Sequence, residues 1–325
     1  MKGKHHVIVQ NNKLRYEFDI RRNITIIRGD SATGKTTLID LIQAASVMGD
    51  ESGIFLQCDR PVRVLGAADW EIVLPQLHEN IIFIDEENRF ITSQTFADAV
   101  KNSDNYFVLI TREDLPNLPY SVDEIYGIHT SGKYHDTKRV YNEMYRIYSS
   151  LTNDSTDMPD DLLIEDSNSG YEFFSAVVKD RSISCSSAHG KSNLRKSAEK
   201  ISSDSLMVIG DGAAIGPEMN DLFQLMHIRP SIRCYFPESF EWLILRSGLI
   251  NYPDIQKILA APEEYIESSQ YFSWERFFTD MLIQWSAGGY LQYQKSELNS
   301  NYLHPKEMKA ILQQMPWWEE GNHTE

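Results

Sequence analysis

The residues with the clearest chemical potential form a glycine-rich loop near the N-terminus. Gly29, Gly34, Lys35 and Thr36 stand at the spacing G-x-x-x-x-G-K-[ST]. Glycines at these points let successive backbone N–H groups turn toward phosphate oxygens, and a helix N-terminus adds partial positive charge. The lysine supplies a compact cation, and the threonine hydroxyl is a ligand for Mg²⁺. The predicted nucleotide-binding residues of the loop are Gly29, Asp30, Ser31, Ala32, Thr33, Gly34, Lys35, Thr36 and Thr37.

The sequence on either side of the loop predicts a strand before it and a helix after it. An apolar, β-branched run ends at Ile27, and an amphipathic pattern begins at Lys35 and continues to about Met48. In this context the motif indicates a site for ATP with Mg²⁺. The alternative is a chance match in an ordinary turn, and the flanking pattern argues against it.

A second apolar run, at residues 81–84, is followed by Asp85 and Glu86. At the end of a buried strand, Asp85 would hold Mg²⁺ through water, and Glu86 would orient or deprotonate an attacking water. The alternative is a core strand that ends in a solvated acidic turn, since Glu87 continues the acidic run.

A third apolar run, at residues 106–110, leads into Thr111 and Arg112. Open α/β sheets bind ligands at the carboxyl ends of their strands. Thr111 would therefore sense the γ-phosphate, and Arg112 would neutralise its charge here or in a neighbouring subunit. Alternatively, the hydroxyl caps the strand end and the arginine is solvated. Strands that alternate with helices predict a parallel, doubly wound α/β sheet, with hairpins at 6–20 and 124–141 and helices at 67–78 and 95–102.

Residues 1–148 resemble the P-loop ATPases. Residues 29–36 match the Walker A pattern, residues 81–86 match the Walker B pattern, and the opening hairpin resembles the start of ABC-type and OLD-type ATPase heads. The resemblance implies ATP hydrolysis with Lys35 and Glu86 as catalytic residues. A small-molecule kinase is the rival, but paired carboxylates suit water activation, and the sequence has no arginine-rich lid.

Two acids follow apolar runs in the second half of the chain. Residues 149–161 are polar and acidic and read as a linker. Beyond them, Glu165 and Asp211 each end a predicted strand. Carboxylates that meet at one sheet edge suit Mg²⁺ or Mn²⁺, whereas each acid alone fits a solvated strand end.

The order of elements at residues 162–250 resembles a Toprim domain, the metal-binding fold of topoisomerases, primases and OLD-family nucleases. Glu165 and Asp211 stand at its strand-end acids, and Lys191 lies in a Gly-Lys-Ser-Asn turn similar to that of the Toprim branch in PARIS-type anti-phage systems. The resemblance implies a nuclease in which Glu165 and Asp211 bind metal and all three residues are catalytic. Asp166 replaces the family's glycine, and Ala213 replaces a second acid. A second hypothesis is therefore a nucleotide-dependent switch or scaffold with a degenerate Toprim-like module that binds protein or RNA.

The remaining sequence offers weaker signals. Lys191, Arg195 and Lys196 would hold a nucleic-acid phosphate, or they form a solvated helix start. Residues 251–325 read as a helical extension, with helices at 255–260, 262–278 and 281–291. Its aromatic residues suit the core or an oligomer interface more than base stacking.

Composition narrows the class of protein. The 325 residues carry a formal net charge of −16, which argues against a protein that coats DNA non-specifically. Three cysteines without metal-ligand spacing indicate reduced thiols. The sequence has no apolar leader and no run of 18 apolar residues, so we expect a cytoplasmic protein. Because a neighbour's arginine often completes a P-loop site, we also expect a homo-oligomer.

Overall fold

The computed structural model describes residues 1–29, 34–131, 139–149, 157–316 and 318. The chain forms two compact units, Met1–Tyr148 with Ala261–Ser273, and Ser149–Ala260 with Trp274–Glu325. The first unit is therefore discontinuous in sequence. Within it, Gly3 N donates to Glu263 O at 2.7 Å. The segment 261–273, which the sequence analysis assigned to the helical extension, thus packs with the first unit.

The first unit is built on a mixed nine-stranded sheet in the order β4-β1-β2-β9-β8-β3-β7-β6-β5. Five neighbouring strands, which run from the middle of the sheet to one edge, are parallel to one another: β8, β3, β7, β6 and β5. The sheet is mostly parallel, as the alternation of strands and helices predicts, and the opening hairpin and β9 extend it with antiparallel pairs. The strands are β1 (His5–Gln10), β2 (Leu14–Ile20), β3 (Ile24–Ile27), β4 (Phe55–Gln57), β5 (Val62–Val64), β6 (Ile81–Ile84), β7 (Tyr106–Ile110), β8 (Ile125–Thr130) and β9 (Val140–Arg146).

Helices cover both faces of this sheet. Side chains alternate between the two faces of β7. Val108 packs in one core with Leu38 of α1, whereas the Phe107 ring meets the Phe96 ring of α3 with centroids 5.9 Å apart. The helices are α1 (Lys35–Met48), α2 (Trp70–Val73) and α3 (Gln94–Lys101). Strands and helices therefore alternate in this part of the chain as predicted, and the first unit has an α/β architecture.

Two elements of the first unit differ from their predicted bounds. The helix expected at 67–78 is only α2, followed by a 3₁₀ turn at Leu74–Gln76. Pro75 explains this end, because proline has no backbone N–H with which to continue the α-helical hydrogen bonds. The return strand of the closing hairpin begins at Val140, later than expected, and residues 132–138 lie outside the described residues.

The second unit is built on a four-stranded parallel sheet in the order β11-β10-β12-β13. Its strands are β10 (Asp161–Ile164), β11 (Ser184–Ser187), β12 (Leu206–Ile209) and β13 (Ile232–Tyr235). Its helices are α4 (Ser169–Val178), α5 (Leu194–Lys200), α6 (Met219–Ile228), α7 (Phe240–Arg246), α8 (Ile255–Ala260), α9 (Trp274–Ser286) and α10 (Pro305–Leu312). This unit is also α/β, with additional helices after the last strand.

The helices expected at 262–278 and 281–291 are wrong. A 3₁₀ turn at Pro262–Glu264 is followed by irregular chain until α9 begins at Trp274. Here Ser268 N donates to Met1 O at 3.0 Å, a tertiary bond in place of a helical one. The helix α9 ends at Ser286 because Gly288 adopts a φ of +67°, a conformation typical of a helix end. In the described part of the chain, no helix is long and apolar enough to cross a membrane.

Candidate nucleotide site and carboxylate edge

The strand register brings three predicted segments to one edge of the first sheet. Ile27 of β3 pairs with Ile110 of β7, and Ile84 of β6 pairs with Leu109. The three parallel strands therefore end together, with β7 in the middle. The residues that follow them are those expected around a triphosphate, namely Gly29 after β3, Thr111 and Arg112 after β7, and Asp85 and Glu86 after β6.

The lysine of the motif bridges the two ends of the loop. Lys35 is buried, and its Nζ donates to Gly29 O at 2.7 Å. The helix α1 begins at this residue, and Leu38 N donates to Gly34 O at 3.0 Å. Asp30, Ser31, Ala32 and Thr33 lie outside the described residues. The described ends of the loop thus place the ammonium and a helix N-terminus beside the segment predicted to hold phosphate.

A tyrosine that the sequence analysis did not single out supports the loop. Tyr16 of β2 donates its hydroxyl to Gly34 O at 2.9 Å. Gly34 has a φ of +89°, and a Cβ added there would lie 2.7 Å from Tyr16 Oη, so only glycine fits both the conformation and the space. Burial raises the pKa of Tyr16 to about 12, which keeps the hydroxyl protonated as a donor. No local signal marks Tyr16, because the contact depends on the pairing of distant strands.

Hydroxyl and carboxylate oxygens at this edge match the ligands that Mg²⁺ prefers. Thr36 is exposed on the first turn of α1, and Thr37 is half-buried. Asp85 is half-buried directly after β6, and its Oδ1 accepts from Glu86 N at 2.8 Å. Thr36 and Asp85 therefore offer the types of oxygen that a Mg²⁺ ion bound to a triphosphate would need.

The predicted catalytic acid and the predicted arginine meet each other. Arg112 Nε lies 3.2 Å from Glu86 Oε2, and their side chains are 55% and 35% exposed. Both line a cavity of about 240 Å³. Thr111 is buried, and its Oγ1 accepts from Glu113 N at 3.0 Å, so it stabilises the turn after β7. Glu86 thus lies at an open part of the edge, beside a space large enough for water.

In the second unit, Glu165 and Asp211 also come together. They follow the neighbouring parallel strands β10 and β12, and Asp211 N donates to Glu165 Oε2 at 2.9 Å. Asp211 Oδ1 in turn accepts from Phe240 N at 3.2 Å, at the start of α7. Both carboxylates therefore accept from backbone N–H groups, Glu165 at the sheet edge and Asp211 at the start of α7.

The pKa values of both acids are displaced upward. Burial raises the pKa of Glu165 to about 7, against the hydrogen bond from Asp211 N, and the negative charge of Glu275 adds to the rise. Burial raises the pKa of Asp211 well above its usual range, and Glu275 and Glu165 again add to the rise. These shifts show that the edge disfavours negative charge.

The second edge does not fit a divalent metal as arranged. Glu165 and Asp211 line a cavity of about 20 Å³ that also has apolar walls from Phe174 and Leu243. Such a volume holds about one water molecule, whereas Mg²⁺ usually keeps several waters and shares ligands with a phosphate. In the described residues of either unit, no group of three or more His, Cys, Asp or Glu side chains is placed to hold a metal.

The two positions that differ from the Toprim pattern have structural roles. Asp166 Oδ1 accepts from Tyr171 N at 2.9 Å and so supports the start of α4. Ala213 is buried, and its N donates to Glu238 O at 3.1 Å. The position of the expected second acid is therefore a buried one, bonded through its backbone to the chain after β13.

The basic turn is engaged by the protein itself. Lys191 Nζ donates to Ala214 O at 2.9 Å, and its charge works to lower the pKa of Glu165. Arg195 forms ion pairs with Glu199 at 3.1 Å and Asp221 at 2.8 Å. Of the three predicted phosphate-binding residues, only Lys196 is fully on the exposed surface.

Four further residues complete this edge, and sequence reasoning missed three of them. Glu241, Glu275, Tyr293 and Lys295 come from helices and a turn far along the chain, and Tyr293 Oη donates to Glu241 Oε1 at 2.8 Å. Their positions carry no motif, because the contact requires α7, α9 and the following turn to assemble. Glu241 is the exception, because either it or Glu238 matches a late acid in the resemblance to the Toprim branch of PARIS-type systems.

No model of a known protein family matches the sequence, and no curated protein matches it significantly.

Proposed function

We propose that the first unit binds ATP with Mg²⁺ and hydrolyses it. The observation that carries the proposal is the common edge of three parallel strands, at which Gly29 follows β3, Asp85 and Glu86 follow β6, and β7 lies between them. Phosphate oxygens would accept from the loop backbone and from Lys35, while Thr36 and Asp85 would hold Mg²⁺, which neutralises charge on the phosphates. Glu86 would take a proton from the attacking water.

The pairing of Glu86 with Arg112 bears on this reaction. Arg112 Nε lies 3.2 Å from the Glu86 carboxylate, and this ion pair orients the side chain that would act as the base. Arg112 would turn toward the γ-phosphate only by giving up this ion pair. ATP hydrolysis assayed as free phosphate separates this proposal from the kinase alternative, which predicts a phosphorylated product and little free phosphate.

For the second unit, we propose a non-catalytic Toprim-like module that binds a protein or RNA under the control of the nucleotide state. The engagement of Glu165 and Asp211 by backbone N–H groups, in a cavity of about 20 Å³, supports this role. The whole protein would then act as a nucleotide-dependent switch.

A metal-dependent nuclease, possible in anti-phage defence by analogy with the OLD and PARIS proteins, is the competing proposal for this unit. The contact of Asp211 N with Glu165 Oε2 favours it, because it brings two strand-end acids together. The test is cleavage of tRNA, single-stranded DNA and duplex DNA with Mn²⁺ or Mg²⁺, with and without ATP. Cleavage that Glu165→Gln abolishes would establish the nuclease. Intact ATP hydrolysis without cleavage supports the switch.

A homo-oligomer remains part of the proposal for the first unit, in which a neighbour's arginine would complete the nucleotide site. Elution from a calibrated sizing column at the mass of one chain, with ATP present, would contradict it.

A further inference from the structure

We call the edge of the second sheet at which Glu165 and Asp211 follow β10 and β12 the carboxylate edge. A lysine lies among the acids there. Lys295 Nζ donates to Glu275 Oε1 and lies 3.9 Å from Glu241 Oε1. The Glu241 side chain is only 2% exposed, whereas that of Lys295 is 37% exposed. The ammonium therefore approaches a buried carboxylate from the solvent side of the cluster.

The electrostatic influence of this ammonium extends beyond its direct contacts. Burial works to lower the pKa of Lys295, but the charges of Glu241, Glu275 and Asp211 outweigh it and raise the pKa. In return, the positive charge of Lys295 opposes the rise in the pKa of Asp211 and of Asp166. One ammonium thus lies beside carboxylates from α7 and α9, and its charge also acts on Asp211, which follows β12.

The segment that carries this lysine is fixed in place on α4. Tyr293 is buried, and its hydroxyl lies 2.6 Å from Ser169 Oγ. Three residues after the lysine, Leu298 N donates to Glu172 Oε2 at 2.6 Å. Both flanks of Lys295 are therefore tied to the same helix, which holds the ammonium at the acids.

We propose that Lys295 is the resident cation of the carboxylate edge and takes the place that a divalent metal would have beside Asp211 and Glu241. An ammonium with three donors satisfies carboxylate oxygens as a cation does, but it supplies no open coordination position for a phosphate. The inference deepens, and rests on, the proposed non-catalytic role of the second unit. It is independent of nucleotide hydrolysis in the first unit.

The first test measures Mn²⁺ binding to the full-length chain without nucleotide, by the loss of the free Mn²⁺ signal in electron paramagnetic resonance. Wild type and Asp211→Asn are expected to bind Mn²⁺ equally. Lys295→Met is expected to gain one Mn²⁺ site whose affinity is at least about tenfold higher than that of any Mn²⁺ binding in wild type. Lys295→Met/Asp211→Asn is expected to lose this site. Lys257→Met, which removes an exposed lysine of the same unit, should behave as wild type.

Two results would overturn the proposal. One is a Mn²⁺ site in wild type that Asp211→Asn removes. The other is a folded Lys295→Met protein that binds no more Mn²⁺ than wild type does. Either result would leave the ATPase proposal intact, since phosphate release is assayed separately.

Thermal unfolding covers the case in which Lys295→Met does not fold. The melting temperature of the single variant is expected to fall by about 5 °C or more, because the acids lose their cation. Removing the acid that pairs directly with the lysine as well, in Lys295→Met/Glu275→Gln, should restore at least half of that loss or recover folded protein. A double variant that is no more stable than the single variant contradicts a charge-balancing lysine.

Discussion

The carboxyl edges of the two sheets resemble each other in sequence and differ in chemistry. Each places acids directly after buried parallel strands, Asp85 and Glu86 in the first unit and Glu165 and Asp211 in the second. In the first unit, Glu86 lines a cavity of about 240 Å³ and pairs with an exposed arginine. In the second unit, both acids lie at a cavity of about 20 Å³ and accept from backbone N–H groups.

The difference teaches that a strand-end acid acquires its role from what stands opposite it. An open edge with a glycine loop leaves room for a substrate and for water. An edge that is closed by α7, α9 and the turn after α9 turns the same residue type into a structural acceptor. The following predictions test this contrast, beginning with the largest expected effect.

Glu86→Gln is expected to lower the rate of ATP hydrolysis by about 10²–10⁴-fold with ATP binding retained, because the amide cannot accept the proton of water. Steady-state phosphate release and equilibrium binding of a fluorescent ATP analogue measure the two quantities. Glu87→Gln changes the exposed neighbour and should leave the rate near that of wild type. Equal losses in both variants would remove the special role of Glu86 and with it the contrast between the edges.

Lys35→Ala is expected to lower ATP hydrolysis by about 10²–10³-fold, since the buried ammonium at the loop is lost. Binding of the ATP analogue should weaken in the same variant. The matched control is Lys101→Ala, at the exposed end of α3. Unchanged hydrolysis in a folded Lys35→Ala protein would contradict phosphate binding at this loop.

The second edge should make stability depend on pH. Glu165 has a pKa raised from 4.5 to about 7 in the folded chain, so the folded state holds a proton that the unfolded state has released between these pH values. Stability therefore falls as pH rises from about 4.5 to 7, by up to about 3 kcal/mol from this residue. Glu165→Gln should flatten the dependence and raise the melting temperature at pH 8.

The control for this pH effect is Asp180→Asn, which changes an exposed acid in the same unit. Its melting temperatures from pH 4 to pH 8 should run parallel to those of wild type. A Glu165→Gln protein with the wild-type pH dependence would show that the edge tolerates charge, and the contrast with the first unit would lose its electrostatic basis.

Tyr16→Phe is the smallest change, with an expected loss of about 1 kcal/mol in stability and a several-fold weaker binding of ATP, because Gly34 O loses a donor. Chemical denaturation and ATP-analogue titration measure the two effects. Tyr145→Phe, at an exposed position of β9, should change neither quantity. If the two variants behave alike, the hydroxyl of Tyr16 does not support the loop.

Local sequence signals predicted the elements that carry their own pattern. The strand at residues 24–27, the loop and the helix α1 follow from β-branched residues, glycines and amphipathic spacing within one short stretch. The turn between β1 and β2 is similarly local, because Asn11 Oδ1 accepts from Lys13 N and Leu14 N at 2.8 Å each. In such segments, the interactions that fix the structure lie close along the chain.

Contacts between distant segments account for what the sequence did not predict. The helix expected at 262–278 is irregular chain before Trp274, and within it Ser268 N donates to Met1 O. Tertiary contacts of this kind override helix propensity. Likewise, the sequence places Glu165 and Asp211 at strand ends, but it does not reveal that Lys295 faces the same edge. An ion pair between residues that are far apart in sequence leaves no periodicity to read.

The discontinuity of the first unit has a consequence for the inheritance of this architecture. Because 261–273 returns to the unit formed by 1–148, the chain passes from one unit to the other three times. Recombination with a single breakpoint at residues 149–161 would transfer residues 1–148 without the segment 261–273. Gly3 and Met1 would then lack their backbone partners, Glu263 and Ser268. The two units are therefore expected to be gained, lost or replaced together, as one heritable piece.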